Sequence, residues 1–357
     1  MKKALEYINN LSKTVDNILK NDDFPNQVSP SYLRDEIRIY PLAGGKKIRP
    51  ALLSASCGVL GGDIEKSLYF ATALEVWHNW TLVHDDIIDC DTIRRNMPTA
   101  HCRLAKTAET LFQIPTETAA KYGSDMAILC GDLQINWAYN LILKGQKIGN
   151  ISSDLTLEII SKIQEYGAIK LITGEAVDVE LALRKVKNIE SADVLKMIDG
   201  KTSALFQCST EIGGALALGK FDDCRITLLS EFAKALGRAF QLQDDLLGIF
   251  GEAAKFGKNI GSDLREGKPT ILLLNTLKST TSEEKDFILS QIGKKDLQLA
   301  DLEEVKSIMK KCGSFDVVNN EVQYYLQRAK DYLNELPSNE YNGILHGILE
   351  LLLNREK

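Results

Sequence analysis

The chain has 357 residues, 44% of them hydrophobic, so it can bury a sizeable core. A formal net charge of −6 argues against general nucleic-acid binding, and no apolar run approaches the length of a membrane span. The seven cysteines are scattered without a CxxC pair, which points to reduced thiols in a cytoplasmic protein rather than to a disulfide frame or a zinc site.

Met1 to Lys20 mixes charge with apolar residues at helical spacing and lacks the apolar stretch of a signal peptide. Gly44-Gly45-Lys46-Lys47-Ile48-Arg49-Pro50 sets cations on a glycine turn that ends at a proline. Ser67 to His84 is mostly apolar, with a narrow polar stripe of Thr72, Glu75 and Asn79, and predicts a central helix enclosed on most sides. None of the eight prolines lies between Thr116 and Lys268, so long helices can run there unbroken. Leu228, Phe232, Ala235, Leu236, Ala239 and Phe240 keep a helical period up to Asp244. The gap from Phe250 to Pro269 is rich in Gly and Lys and reads as a functional loop. Beyond Ser279 the helices are more polar. With no alternating strand, repeat or linker, the expectation is one all-α domain over residues 1–357.

Two acidic clusters stand inside apolar helical stretches. The first is Asp85-Asp86-Ile87-Ile88-Asp89, the second Asp244-Asp245-Leu246-Leu247-Gly248. Residues 85 and 89 share one helix face, with Asp86 beside them, and such carboxylates repel unless a cation bridges them. Oxygen-rich sites of this kind suit Mg²⁺, which is often completed by substrate phosphate. An isolated DDxxD is more often an exposed acidic helix end, but the apolar approach Trp80-Thr81-Leu82-Val83 weighs against that here. The second cluster is weaker, since Gly248 leaves it two aspartates. Arg94-Arg95 follows the first cluster, and Gly257-Lys258 and Gly261 to Lys268 follow the second. Lysine and glycine together suit a loop that approaches phosphate.

In this order, from about Gly44 to Thr270, the motifs resemble those of the trans-isoprenyl diphosphate synthases. The resemblance implies a bundle of helices around a deep central cavity, with the two aspartate clusters facing each other at its mouth. It implies Lys46, Arg49, His78 and Arg95 as ligands of isopentenyl diphosphate. Arg94, Lys201, Thr202, Gln241, Lys258 and Lys268 would serve the allylic diphosphate, with Lys201, Thr202 and Gln241 beside the reacting carbon. Asp85, Asp86, Asp89, Asp244 and Asp245 would hold Mg²⁺, about three ions per site. Gly248 replaces the last aspartate of the second motif, and Glu252 is a candidate for the missing acid. Asn96 stands where Gly often follows the arginines, and Glu175 where Gln is usual.

The implied reaction is head-to-tail condensation of isopentenyl diphosphate with dimethylallyl, geranyl or farnesyl diphosphate. The released diphosphate takes the proton, and the loop around Gly257 to Gly267 would act as a lid. A homodimer is expected. Trp77, Trp80 and Thr81 would line the end of the cavity, with Trp80 as its floor. The run from Trp80 to Asp86 resembles archaeal-type geranylgeranyl diphosphate synthases. The expected product is all-trans geranylgeranyl diphosphate, and farnesyl diphosphate or a longer chain is the alternative. A terpene cyclase would not need Lys46, Arg49 and His78. A non-catalytic subunit of a prenyl synthase heteromer would have lost aspartates or lysines that are present here.

Overall fold

In a computed structural model that describes residues 1–251 and 260–353, the chain is α-helices joined by short turns. In chain order they are α1 (Lys2–Asn21), α2 (Ser31–Leu42), α3 (Ile48–Val59), α4 (Ile64–Ile88), α5 (Ala100–Phe112), α6 (Thr116–Gly149), α7 (Ser153–Lys162), α8 (Leu171–Leu183) and α9 (Ser191–Ile198). There follow α10 (Ala204–Leu218), α11 (Cys224–Phe250), α12 (Ser262–Glu266), α13 (Ile271–Ser279), α14 (Ser282–Gln291), α15 (Leu299–Lys311), α16 (Ser314–Asn334) and α17 (Glu340–Leu353). The proline-free stretch holds the two longest, α6 and α11, of 34 and 27 residues. All seven cysteines are free thiols. No helix among the described residues is long and apolar enough to cross a membrane.

The contacts divide into two compact units. The first comprises Met1–Ile160, Ser209–Asp223 and Asn339–Leu345. Its centre is α4, which packs most extensively on α6 and also on α1 and α3. Asp63 caps α4 by accepting from the Glu65 N–H at 3.0 Å, the usual remedy for the open donors of a helix start. The side-chain donors of Thr72 and Asn79 in the expected polar stripe bond within the helix. Thr72 Oγ1 donates to the Leu68 carbonyl at 2.8 Å and Asn79 Nδ2 to the Glu75 carbonyl at 2.6 Å, so the helix tolerates burial on nearly every side.

The fold is all-α, with one small strand pair between α4 and α5. β1 (Ile93–Arg94) pairs antiparallel with β2 (Met97–Pro98). Arg95 and Asn96 form its turn with φ of 53° and 61°, the left-handed pair that a tight two-residue hairpin demands. Asn is the side chain that tolerates this region best after Gly, which accounts for Asn96.

The second unit comprises Ser161–Cys208, Cys224–Ser338 and His346–Lys357. Here α11 packs along α16. Leu242, Leu246 and Ile249 of α11 join Leu272 and Val318 in one buried apolar cluster. The polar tail read after Ser279 therefore supplies the surface on which the helix bearing the second aspartate pair rests. Two π-helical turns interrupt this unit, at Ile163–Lys170 and Asp199–Ser203. The second of them carries Lys201 and Thr202, and such bulges are frequent at functional sites.

Candidate functional site

In the first unit, three elements converge on one cluster of cations. The turn between α2 and α3 is left-handed at Gly44, Gly45 and Lys47, with φ of 82°, 111° and 42°. Lys47 is buried and staples the turn, its Nζ 2.6 Å from Asp16 Oδ1 and 3.3 Å from the Pro41 carbonyl. Lys46 beside it is exposed. The hairpin turn brings in Arg95, whose Nη1 donates to the Gly44 carbonyl at 2.8 Å and the Tyr40 carbonyl at 3.2 Å. A Cβ at Gly45 would come within 3.2 Å of that guanidinium, so glycine lets the turn and Arg95 meet.

From α4, His78 joins the same group. Burial drives its imidazole well below the ordinary range, and the charges of Arg49, Arg95 and Arg94 push it further. His78 is thus a neutral ring among guanidiniums. Arg49 at the start of α3 is lowered to about 10 by burial, with Glu75 opposing the shift and Arg95 reinforcing it. The structure brings together Arg49, His78, Arg94 and Arg95, with Lys46 on the adjoining turn.

The first aspartate run closes α4. Asp85 and Asp86 lie on the last turn, and Asp89 is the C-cap, its N–H bonded to the Asp85 carbonyl at 2.8 Å. Asp86 has no exposed surface. It accepts from Tyr40 Oη and from Arg94 Nε, while Arg94 Nη2 reaches Asp85 Oδ2 at 3.0 Å. Burial raises the Asp86 carboxyl even though Arg94 and Tyr40 pull it down. The Arg94 guanidinium therefore already bridges two carboxylates where a cation was expected. Sequence reasoning missed Tyr40, which holds Asp86 and also accepts the Ala100 N–H at 3.2 Å. Its partners lie 46 and 60 residues away, beyond any local pattern.

In the second unit a parallel network forms. Lys201 Nζ lies 2.9 Å from Glu175 Oε2 and 2.7 Å from Asp178 Oδ2. Thr202 Oγ1 donates to Gln241 Oε1 at 2.9 Å, and Gln241 Nε2 donates to Asp245 Oδ1 at 3.1 Å. Asp245 is held well above the usual carboxylate range, first by burial and then by Asp263, with Asp244 and Asp178 adding to it.

Asp263 is a second residue that sequence reasoning missed, because nothing local separates it from the lysines around it in the loop. It fills the space left by Gly248. A Cβ at position 248 would stand 3.0 Å from Asp263 Oδ2, and the Gly248 carbonyl accepts the Gly261 N–H at 2.8 Å. The short helix α12 thus sets an acid against the Cα of Gly248. Lys268 pairs with Glu266 at 2.9 Å. Lys258 and Glu252 lie outside the described residues, as do positions 257–259 of the expected lid.

Among the described residues, no three His, Cys, Asp or Glu side chains are gathered closely enough to ligate a metal by themselves. The carboxylates present are hard oxygen donors, suited to an ion that keeps waters and takes phosphate oxygens. Trp77, Trp80 and Tyr139 form an aromatic cluster behind the first aspartates, with ring centroids of Trp77 5.3 Å from each of the other two. Thr81 lies one turn from His78, its Oγ1 donating to the His78 carbonyl at 2.7 Å.

A family model described as polyprenyl synthetase matches residues 31–310. A geranylgeranyl diphosphate synthase of Sulfolobus acidocaldarius is 35% identical over 93% of this chain and 92% of its own. A geranylfarnesyl diphosphate synthase of Aeropyrum pernix is 31% identical over 88% of this chain and 92% of its own. The crystal structure of a geranylgeranyl pyrophosphate synthetase from Pyrococcus horikoshii superposes with a TM-score of 0.84 at 29% identity, covering 99% of this chain and 98% of that one.

Proposed function

Because the chain belongs to the polyprenyl synthetase family, we propose that it condenses isopentenyl diphosphate with an allylic diphosphate, head to tail, to give all-trans geranylgeranyl diphosphate. The observation that carries this reading is the gathering of Arg49, His78, Arg94 and Arg95 around the last turns of α4. A terpene cyclase would have no use for a second diphosphate site.

The polyanion of isopentenyl diphosphate meets Lys46, Arg49 and Arg95 as charges and His78 as a neutral N–H donor. Arg94 leaves its carboxylate partners in part to meet the allylic diphosphate. Asp85, Asp86, Asp89, Asp244 and Asp245 are the residues that would hold Mg²⁺, about three ions, with Asp263 as a further acid. When bound, Mg²⁺ supplies neutralisation of the charge that grows on the departing diphosphate. Lys201 is set beside that charge by Glu175 and Asp178, with Lys258 and Lys268 as further cations. Thr202 and Gln241, locked to each other, turn fixed dipoles toward the allylic carbon as its bond to oxygen breaks. The double bond of isopentenyl diphosphate supplies the electron pair for the new carbon–carbon bond. The proton then lost from that unit passes to the released diphosphate.

The aromatic cluster supports Trp80 as the floor of the product pocket, with Trp77 and Thr81 on its wall. The crowding of Trp77, Trp80 and Tyr139 also favours a second reading, farnesyl diphosphate, in which the same rings stop the chain earlier. Seven free thiols fit a reducing compartment, so we place the reaction in the cytoplasm. The deciding experiment is chromatography of products from labelled isopentenyl diphosphate with dimethylallyl, geranyl and farnesyl diphosphate in turn. A twenty-carbon product is expected; no condensation with any starter overturns the reading.

A further inference from the structure

We infer that His84 is a positioning residue that fixes the ring of Trp80 and thereby sets the length of prenyl chain released; this rests on the reading of Trp80 as the pocket floor. The two residues are one helical turn apart on α4 and share a face. Trp80 Nε1 donates to His84 Nδ1 at 3.1 Å, and His84 Nε2 lies 3.2 Å from the Ile128 carbonyl of α6. An Nδ1 that accepts leaves the ring proton on Nε2, which donates to the Ile128 carbonyl and ties α4 to α6.

The pair has little freedom. Their rings meet edge to face at 5.7 Å and 73°, and Trp77 packs on Trp80 at 5.3 Å and 77°. The backbone of α6 presses on both at Gly131. A Cβ there would stand 2.2 Å from His84 Nε2 and 2.9 Å from Trp80 Cδ1. Only glycine admits this approach. Trp80 is 6% exposed, and a buried indole N–H needs an acceptor. His84 is that acceptor, and it selects one orientation of a broad, flat ring. Without it the ring must turn to find another partner, and a floor that turns stops chains at more than one length.

The test compares product lengths and the Trp80 indole N–H resonance across variants. His84→Asn sets its amide near the place of Nδ1, whereas His84→Gln carries its amide one carbon further, near the place of Nε2 and away from the indole. His84→Gln is expected to raise the minor product lengths several-fold and to shift the indole resonance; His84→Asn stays near wild type in both. Trp80→Phe keeps an aromatic floor without the N–H and should broaden the products likewise, and His84→Gln should then add nothing. If His84→Gln does not fold, by circular dichroism, Trp80→Phe and His84→Asn carry the test. Trp80→Ala checks the premise, with longer products expected. Unchanged products in folded Trp80→Ala overturn the floor reading and this inference with it. Longer products in Trp80→Ala with an unchanged spectrum in His84→Gln or Trp80→Phe overturn the role of His84 alone, as does equal broadening by Asn and Gln.

Discussion

Single side chains in this protein are set by burial as much as by charge. His78 shows it: burial and three guanidiniums keep it neutral in the folded state. As pH falls through the ordinary imidazole range, the unfolded chain gains a proton that the folded chain refuses. Stability is then lost at up to about 1.4 kcal/mol per pH unit, until the pH reaches the depressed folded value. Burial also lowers His101 and His346, so the share of His78 is the difference between two proteins. Denaturant melts from pH 7.5 to 5.5 should show a shallower acid loss in His78→Gln than in wild type, together with a raised KM for isopentenyl diphosphate. Parallel curves would deny His78 its buried, neutral state. Asp85 gives the complementary case. It ends α4 beside Arg94, and Asp85→Ala should cut turnover by about a hundredfold, the usual loss on removing one stabiliser of transition-state charge. Near-normal turnover in that variant, or in excess chelator, would remove the metal reading.

At the scale of elements, the return of α12 onto the end of α11 is the feature most open to experiment. Gly248 and Asp263 share one space, since a Cβ on the glycine would sit 3.0 Å from the carboxylate. Gly248→Asp should therefore lose activity even though it restores an aspartate to the motif, because two carboxylates would contest one place. Adding Asp263→Gly to that variant should recover part of the loss. A fully active Gly248→Asp single variant would show that the space is not shared. This pairing also marks where sequence reading stops. Helices α4, α6 and α11 were legible because apolar residues recur at helical spacing and proline is absent. The GGKKIRP turn was legible from its glycines. Strands of two residues hold no alternation to detect, so β1 and β2 were not. The π-turn under Lys201 leaves no periodic trace, because one extra residue per turn vanishes in an apolar pattern. Tyr40 on Asp86 and Asp263 on Gly248 are contacts between distant segments, visible only once the chain is folded.

For the whole molecule, the question is what covers the outer apolar surface of the first unit. Ile128, Leu129 and Leu143 of α6 are exposed, as are Leu111 and Phe112 at the end of α5. Positions 128 or 129 and 143 are four helical turns apart, so they lie along one face of α6. Isolated exposed apolar side chains are ordinary, and Asp132 and Asn136 are exposed between these; we propose that the broken apolar stripe along this 34-residue helix is an interaction surface. A twofold axis across α6 would set the stripe against its own copy, which is how self-complementary dimers form. A stable contact of this type buries roughly 800 Å² on each partner, within reach of a helix about 50 Å long. Light scattering at micromolar concentration should accordingly give twice the chain mass. Leu129→Glu combined with Leu143→Glu should bring the mass down to that of one chain, because four carboxylates would face one another across the axis. A monomeric wild type would leave the stripe without this role, and a dimer that survives both substitutions would place the interface elsewhere on the molecule.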